Sequence, residues 1–282
     1  MMSIVKAGFM LMSQYARIDG VLTVFWRGFT PFLLLLPALF YVDMPTSYIF
    51  YGATFLTALI ASYTDVKHLN GAIKFGAGTS LRVAPFGLWF VFIIWMLISP
   101  DYRSYFFTHP LAAAGICFSL LCAVVGASFM RKCEISMSAI IYFLPVIFMG
   151  AFIDIFNKLA MDNSSYLGGI VTYIWMQGGI ISIVCALKSC VFGGYQPRTF
   201  FSRHIFIVGG LISMGFLLGN FFKNTAMAYT VNPAYVSAII LLSPLWASLF
   251  YRLKGEKDGA NEIAGLLVVA SSIMLVLFAS NM

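Results

Sequence analysis

Charge is what this sequence has least of. Only 10% of its 282 residues are Asp, Glu, Lys or Arg, and no polar segment is long enough to build a soluble domain. The formal net charge is +7, yet no block of Lys and Arg is long enough for a nucleic-acid partner. Histidine is sparse too: His68, His109 and His204 lie scattered in connections, and no DxxD or HxxE-type grouping occurs. Clustered carboxylates for a metal are therefore missing, as is a His base beside a nucleophile. An integral-membrane enzyme acting on lipid or isoprenoid phosphate is not expected, and neither a metal nor a cofactor is called for. The five cysteines (Cys117, Cys122, Cys133, Cys185 and Cys190) include no CxxC pair and have no His at ligand spacing, so they read as small apolar packers. The opening MMSIVKAGFMLMSQYA has a Lys and an apolar stretch but no convincing small-residue cleavage site, so a retained helix is expected.

Apolar residues fill the space that charge leaves. They make up 61% of the chain, and the mean hydropathy is +0.93. Apolar runs of roughly 20 residues recur along the whole length, the length needed to cross a bilayer as a helix. Ten candidate spans follow: about 4–17, 21–42, 47–66, 71–98, 110–130, 136–160, 167–192, 203–226, 233–251 and 262–280. The expectation is an all-α, multi-pass integral membrane protein whose one certain partner is the lipid bilayer; a homodimer is left open. Lys and Arg fill the odd-numbered connections (Arg17; Lys67; Arg131 and Lys132; Lys188, Arg198 and Arg203; Arg252, Lys254 and Lys257), while the even ones hold Arg103 alone. The positive-inside rule then puts the odd connections in the cytoplasm.

Sliding the chain against itself exposes a faint repeat. A shift of 159 lays NGAIKFGAGTSLRVAPFGLWF (70–90) over YTVNPAYVSAIILLSPLWASL (229–249), matching Pro85 with Pro244. A shift near 149 lays Phe25-Trp26-Arg27 over Ile174-Trp175-Met176. The chain thus divides into two five-helix halves, about 1–134 and 135–282. An odd number of spans forces the halves into opposite orientations, a common plan for alternating-access transporters.

The second half, at residues 226–278, has an Ala-rich helix end, Pro233 before a Ser/Ala-rich helix, Ser243-Pro244-Leu245, then Gly255-Glu256 and Ile263-Ala264-Gly265. This pattern resembles the EamA-like branch of the drug/metabolite transporter superfamily. Arg27 matches an Arg that the family tends to carry early in span two, and Lys158 resembles a Lys in the first span of a repeat. The resemblance implies ten helices in two inverted five-helix repeats, transport of a small solute, and a bacterial-type inner membrane.

Polar residues inside spans point to a site, since each is costly in lipid. On one helical wheel Ala72, Gly76, Ser80 and Ala84 form a small-residue ladder. Lys74, Gly78 and Arg82 form a basic row turned about 200° away. Asp154 and Lys158 sit at i, i+4 and can pair with each other, whereas Asp65 reads as interfacial. Asn220, Lys223 and Asn224 make one stripe, and Tyr173 with Gln177 another; Tyr235 follows Pro233. The substrate-binding candidates are Arg82, Lys74, Lys158, Lys223, Asn220, Asn224, Tyr173, Gln177 and Tyr235. Pro85 and Pro244 are the expected hinge kinks, and Asp154 a structural partner. Arg27, Lys74, Arg82, Lys158 and Lys223 face Asp154 alone as a span-embedded acid. So basic an interior suggests a small anionic or zwitterionic small-molecule substrate: an amino acid, an organic acid or a phosphorylated compound. The expected function is a secondary transporter, an exporter or exchanger. The alternative is a non-transporting, lipid-headgroup-binding or assembly protein.

Overall fold

The computed structural model describes residues 1–82, 87–129, 137–191, 196–255 and 261–280. Every regular element among them is helical. The helices are α1 (Met2–Ala16), α2 (Gly20–Leu35), α3 (Tyr48–Phe75), α4 (Ala77–Arg82), α5 (Leu88–Ile98), α6 (Pro100–Thr108) and α7 (Pro110–Phe129). They continue with α8 (Met137–Asp162), α9 (Tyr166–Val191), α10 (Pro197–Phe200), α11 (Arg203–Tyr229), α12 (Pro233–Ile240), α13 (Ser243–Leu253) and α14 (Glu262–Ser280). Among the described residues, seven segments are long and apolar enough to cross a membrane: Gly20–Tyr41, Tyr48–Phe75, Pro110–Phe129, Met137–Asp162, Tyr166–Val191, Arg203–Tyr229 and Pro233–Leu253. Leu88–Ile98 and Ile263–Ala279 are shorter apolar helices. The protein is an all-helical, multi-pass membrane protein.

Local chemistry explains where the helices start and stop. Asp19 caps α2, its carboxylate accepting from the Val21 amide at 2.7 Å, and Asn232 caps α12 in the same way through Ala234 at 2.9 Å. Pro100 and Pro233 stand in first turns, where a missing N–H costs nothing. Within spans, hydroxyls turn back onto their own helix: Thr54 donates to the Phe50 carbonyl at 2.7 Å and Thr57 to Ala53 at 2.8 Å. Lipid offers no partner, so such self-satisfaction is what makes threonine tolerable there.

One boundary differs from the sequence expectation. The polar run Asp65 to Asn70 reads as a connection between spans 47–66 and 71–98, but α3 runs unbroken through it. Its polar groups have partners inside the bundle: Asn70 Oδ1 accepts from the Gly20 amide at 2.7 Å, and Asp65 pairs with Arg27. The break falls later, at Gly76, whose φ of 88° only glycine adopts freely. Lys74 and Arg82 are thus on different helices, and the single wheel that joined them does not form.

The packing pairs are α2 on α9, α3 on α8, α7 on α14, and α11 on both α1 and α2. Close approach at the α2–α9 crossing depends on glycine from each side. A Cβ on Gly28 would lie 2.5 Å from the Gly178 carbonyl oxygen, and one on Gly178 would lie 2.6 Å from that of Gly28. Neither backbone can yield without separating the helices. Gly28→Ala and Gly178→Ala should each cost about 1–3 kcal/mol by overpacking. Gly52→Ala and Gly210→Ala, whose added methyls meet nothing within 4 Å, should leave stability unchanged or slightly raised. Thermal unfolding of the purified protein in detergent measures both pairs.

Candidate functional site

The bundle leaves a two-lobed cavity between elements of the two chain halves. One lobe is about 160 Å³, lined by Lys6, Arg27, Asp65 and His68 from the first half and by Asn157, Tyr173, Gln177, Asn220 and Lys223 from the second. The other, about 190 Å³, shares Lys6, Asp65, His68 and Lys223 and adds Asp154 and Ser237. Apolar and aromatic side chains, Phe9, Ile153, Phe216 and Ile240 among them, complete the first lobe. This is the usual make-up of a small-molecule pocket, apolar walls with a few placed polar groups.

Charge in the cavity is almost fully committed. Asp154 on α8 accepts from Lys223 Nζ on α11 at 2.5 Å and from the Ser237 hydroxyl on α12 at 2.5 Å. These short charge-assisted bonds offset the desolvation of both ions, which are 16% and 18% exposed. Arg27 on α2 pairs with Asp65 on α3 and lays its guanidinium 3.4 Å from the centre of the Phe216 ring on α11. His68 is the neighbour of both lobes; its Nε2 lies 3.4 Å from the Ser80 carbonyl. Lys6 differs. Among the described residues its ammonium has no hydrogen bond or ion pair, and it lines both lobes. Also among the described residues, no group of three or more His, Cys, Asp or Glu is placed to hold a metal ion.

Four of the sequence candidates, Lys223, Asn220, Tyr173 and Gln177, line the first lobe. Asn224 is fully buried behind it, accepting from Asn157 Nδ2 at 2.8 Å. Lys158 does not take Asp154 as the spacing suggests. It ion-pairs with Asp162 one turn on, because Lys223 and Ser237 already occupy Asp154 from neighbouring helices. Lys74 is exposed at the end of α3, its ammonium 5.1 Å from the Phe75 ring and 5.7 Å from Tyr142. Arg82 is the last residue of α4, but its side chain lies outside the described residues, as does Pro85 entirely. Tyr235 faces away from both lobes, its hydroxyl 2.6 Å from that of Tyr102 on α6. Burial first of all pushes the Tyr102 hydroxyl above its ordinary pKa. Pro244 does not kink a helix interior. It stands in the first turn of α13, after α12 has already ended at Leu241.

Sequence reasoning missed Lys6, Asp65, His68 and Phe216. A signal for the first was present: Met2, Lys6, Phe9 and Met10 fall on one face at i, i+4, i+7 and i+8, and all four line the cavity. Asp65 and His68 were hidden by the run of polarity that imitated a loop.

No family model matches the chain, and no curated protein matches it. Solved structures do match. One, known only as the crystal structure of a protein, is similar over 99% of this chain and 98% of its own, with a TM-score of 0.66 at 11% identity. That likeness extends to the fold, an all-helical arrangement seen end to end in both chains.

The Asp154 node has a direct test. Asp154→Asn and Lys223→Met should each destabilise the protein by about 3–5 kcal/mol, since each strands a buried charge. The double variant should lose clearly less than the sum. Lys158→Met should combine additively with Asp154→Asn, within about 0.5 kcal/mol. Double-mutant cycles on unfolding in detergent read all three.

Proposed function

We propose that the protein is a secondary transporter, an exporter or exchanger, of a small anionic or zwitterionic metabolite. The proposed frame is ten spans in two inverted five-helix repeats of the EamA-like kind, in a bacterial-type inner membrane. The observation that carries this reading is the cavity, lined by residues of both halves and holding more cationic than anionic groups. A passive anchor has no need of a cavity with charged groups from both halves in its walls.

Two features of the packing support the repeat. Exchanging each helix for its counterpart in the other half turns the α3–α8 contact into α11–α1, and α2–α11 into α9–α3; all four are present. The contacts α2–α9 and α7–α14 map onto themselves. α12 also corresponds to α4: the shift of 159 that matches Pro85 with Pro244 lays Pro233–Ile240 over residues 74–81, most of α4. Broken helices beside a site near the pseudo-twofold axis are a frequent transporter device.

The test is counterflow in proteoliposomes loaded with a pool of small organic anions and amino acids. Labelled substrate should accumulate against its own gradient only when an unlabelled exchange partner is inside. Gly150, in the wall of the second lobe with open space where its Cβ would be, offers a plug: Gly150→Trp should cut flux about tenfold or more at unchanged expression and melting temperature. Absence of counterflow with every member of the pool would remove the reading and favour the lipid-headgroup-binding alternative. Undiminished flux through a folded Gly150→Trp variant would place the pathway elsewhere.

A further inference from the structure

We infer that the cavity selects a carboxylate monoanion with an apolar, aromatic-sized body, held by Lys6, and rejects the zwitterion and the cation of the same skeleton. The inference rests on the transport reading and narrows it from anionic or zwitterionic to anionic alone. It follows from which charges in the cavity are free. Asp65 is taken by Arg27, and both oxygens of Asp154 are taken, one by Lys223 and one by Ser237. Each carboxylate among the described lining residues already has a cationic partner, so none is left to balance an incoming ammonium charge. The uncommitted charge is positive, and it is Lys6.

An ammonium group entering here would be desolvated beside Lys6 and Lys223 with no ion to compensate it. Neutral acceptors remain, such as the Asn157 amide oxygen, which is buried without a hydrogen-bond partner. A neutral acceptor suits a hydroxyl or amide donor and cannot balance a full charge. The anion has the opposite fate, since a carboxylate on Lys6 gives the unpaired cation among the described lining residues its counter-ion.

The body of the substrate is set by the walls. Lys6 and Phe9 lie on the same face of α1, and Phe9 meets Phe216 edge-on with ring centroids 5.7 Å apart. Arg27 covers one face of Phe216, so the aromatic surface beside the free ammonium is held rigid. A lobe of about 160 Å³, at about 10–15 Å³ per water-sized group, admits on the order of ten such groups. That suits a ring plus a short acid chain.

Three compounds share one phenylpropyl carbon skeleton and differ in the charged groups it carries: 3-phenylpropanoate, phenylalanine and 3-phenylpropylamine. Binding to the detergent-solubilised full chain by calorimetry, and counterflow in proteoliposomes, should rank them in that order. Phenylalanine should be weaker than 3-phenylpropanoate by roughly tenfold or more, and 3-phenylpropylamine should show neither binding nor flux. Lys6→Met should remove roughly tenfold or more of the 3-phenylpropanoate affinity, and Lys6→Arg should retain most of it. Should Lys6→Met fail to fold, Lys6→Gln serves the same comparison. Equal or better binding of phenylalanine overturns the inference, as does undiminished 3-phenylpropanoate binding by a folded Lys6→Met or Lys6→Gln. If none of the three binds while the metabolite pool still exchanges, the narrowing is wrong and the transport reading stands. If the pool does not exchange either, both fall.

Discussion

One carboxylate organises the interior. Asp154 takes a bond from Lys223 on α11 and another from Ser237 on α12, so three helices of the second half meet at a single pair of oxygens. A carboxylate with so little exposure to water is kept ionised by the bonds its oxygens accept, and here both oxygens accept one. The consequence reaches beyond α8. With Lys223 neutralised by Asp154 and Arg27 by Asp65, the unpaired positive charge among the described lining residues is the ammonium of Lys6. The cavity is therefore a nearly balanced chamber with one open position, a far more selective arrangement than a generally basic one.

The same accounting explains which parts were legible in the sequence. Long apolar runs carry their own evidence, because each backbone group in lipid must be satisfied within its helix. Lys223, Asn220, Tyr173 and Gln177 were legible as polar stripes at helical spacing. Their cavity-facing placement follows from the cost of turning them toward lipid. Partner choice was not legible in the same way. Asp154 and Lys158 have the right spacing to pair on an isolated helix, but Lys223 and Ser237 arrive from helices far along the chain. Spacing within one helix carries no information about them. The long α3 was obscured for a related reason. Asp65, His68 and Asn70 read as a loop until Arg27, Ser80 and Gly20 are placed beside them.

Aromatic residues divide into two populations that composition alone does not separate. Trp26 donates its indole N–H to the Phe200 carbonyl at 2.8 Å and packs among Phe25, Phe29 and Phe201, which fixes α2 against the short α10. Trp95 likewise donates to the Val231 carbonyl at 2.9 Å and holds α5 against the start of α12. Both indoles are buried and spoken for. Phe9, Phe216 and Tyr173 instead form part of the cavity wall. Trp26 also lies over Gly209 on α11, where an added Cβ would come within 2.8 Å of its ring.

The helix that carries the free cation is also the one that joins the two broken spans. Gln14 on α1 accepts through the same Oε1 from the Ala77 amide at 2.8 Å and from the Tyr251 hydroxyl at 2.6 Å. Ala77 opens α4, where an N–H at a helix start has no partner of its own, and Tyr251 lies near the end of α13. α12 is tethered on two further sides, by Ser237 to Asp154 and by Tyr235 to Tyr102. The free joint in that span is therefore between Leu241 and Ser243, with α13 following α1 through Gln14. Under the transport reading, an anion that settles on Lys6 acts on α1 directly and reaches α4 and α13 through one amide oxygen. Binding and the movement of the broken spans are then linked by a path of two hydrogen bonds, without any change at Asp154. The tightly bonded node would stay fixed while the helix beside it responds, which is what a differential interaction between two states requires.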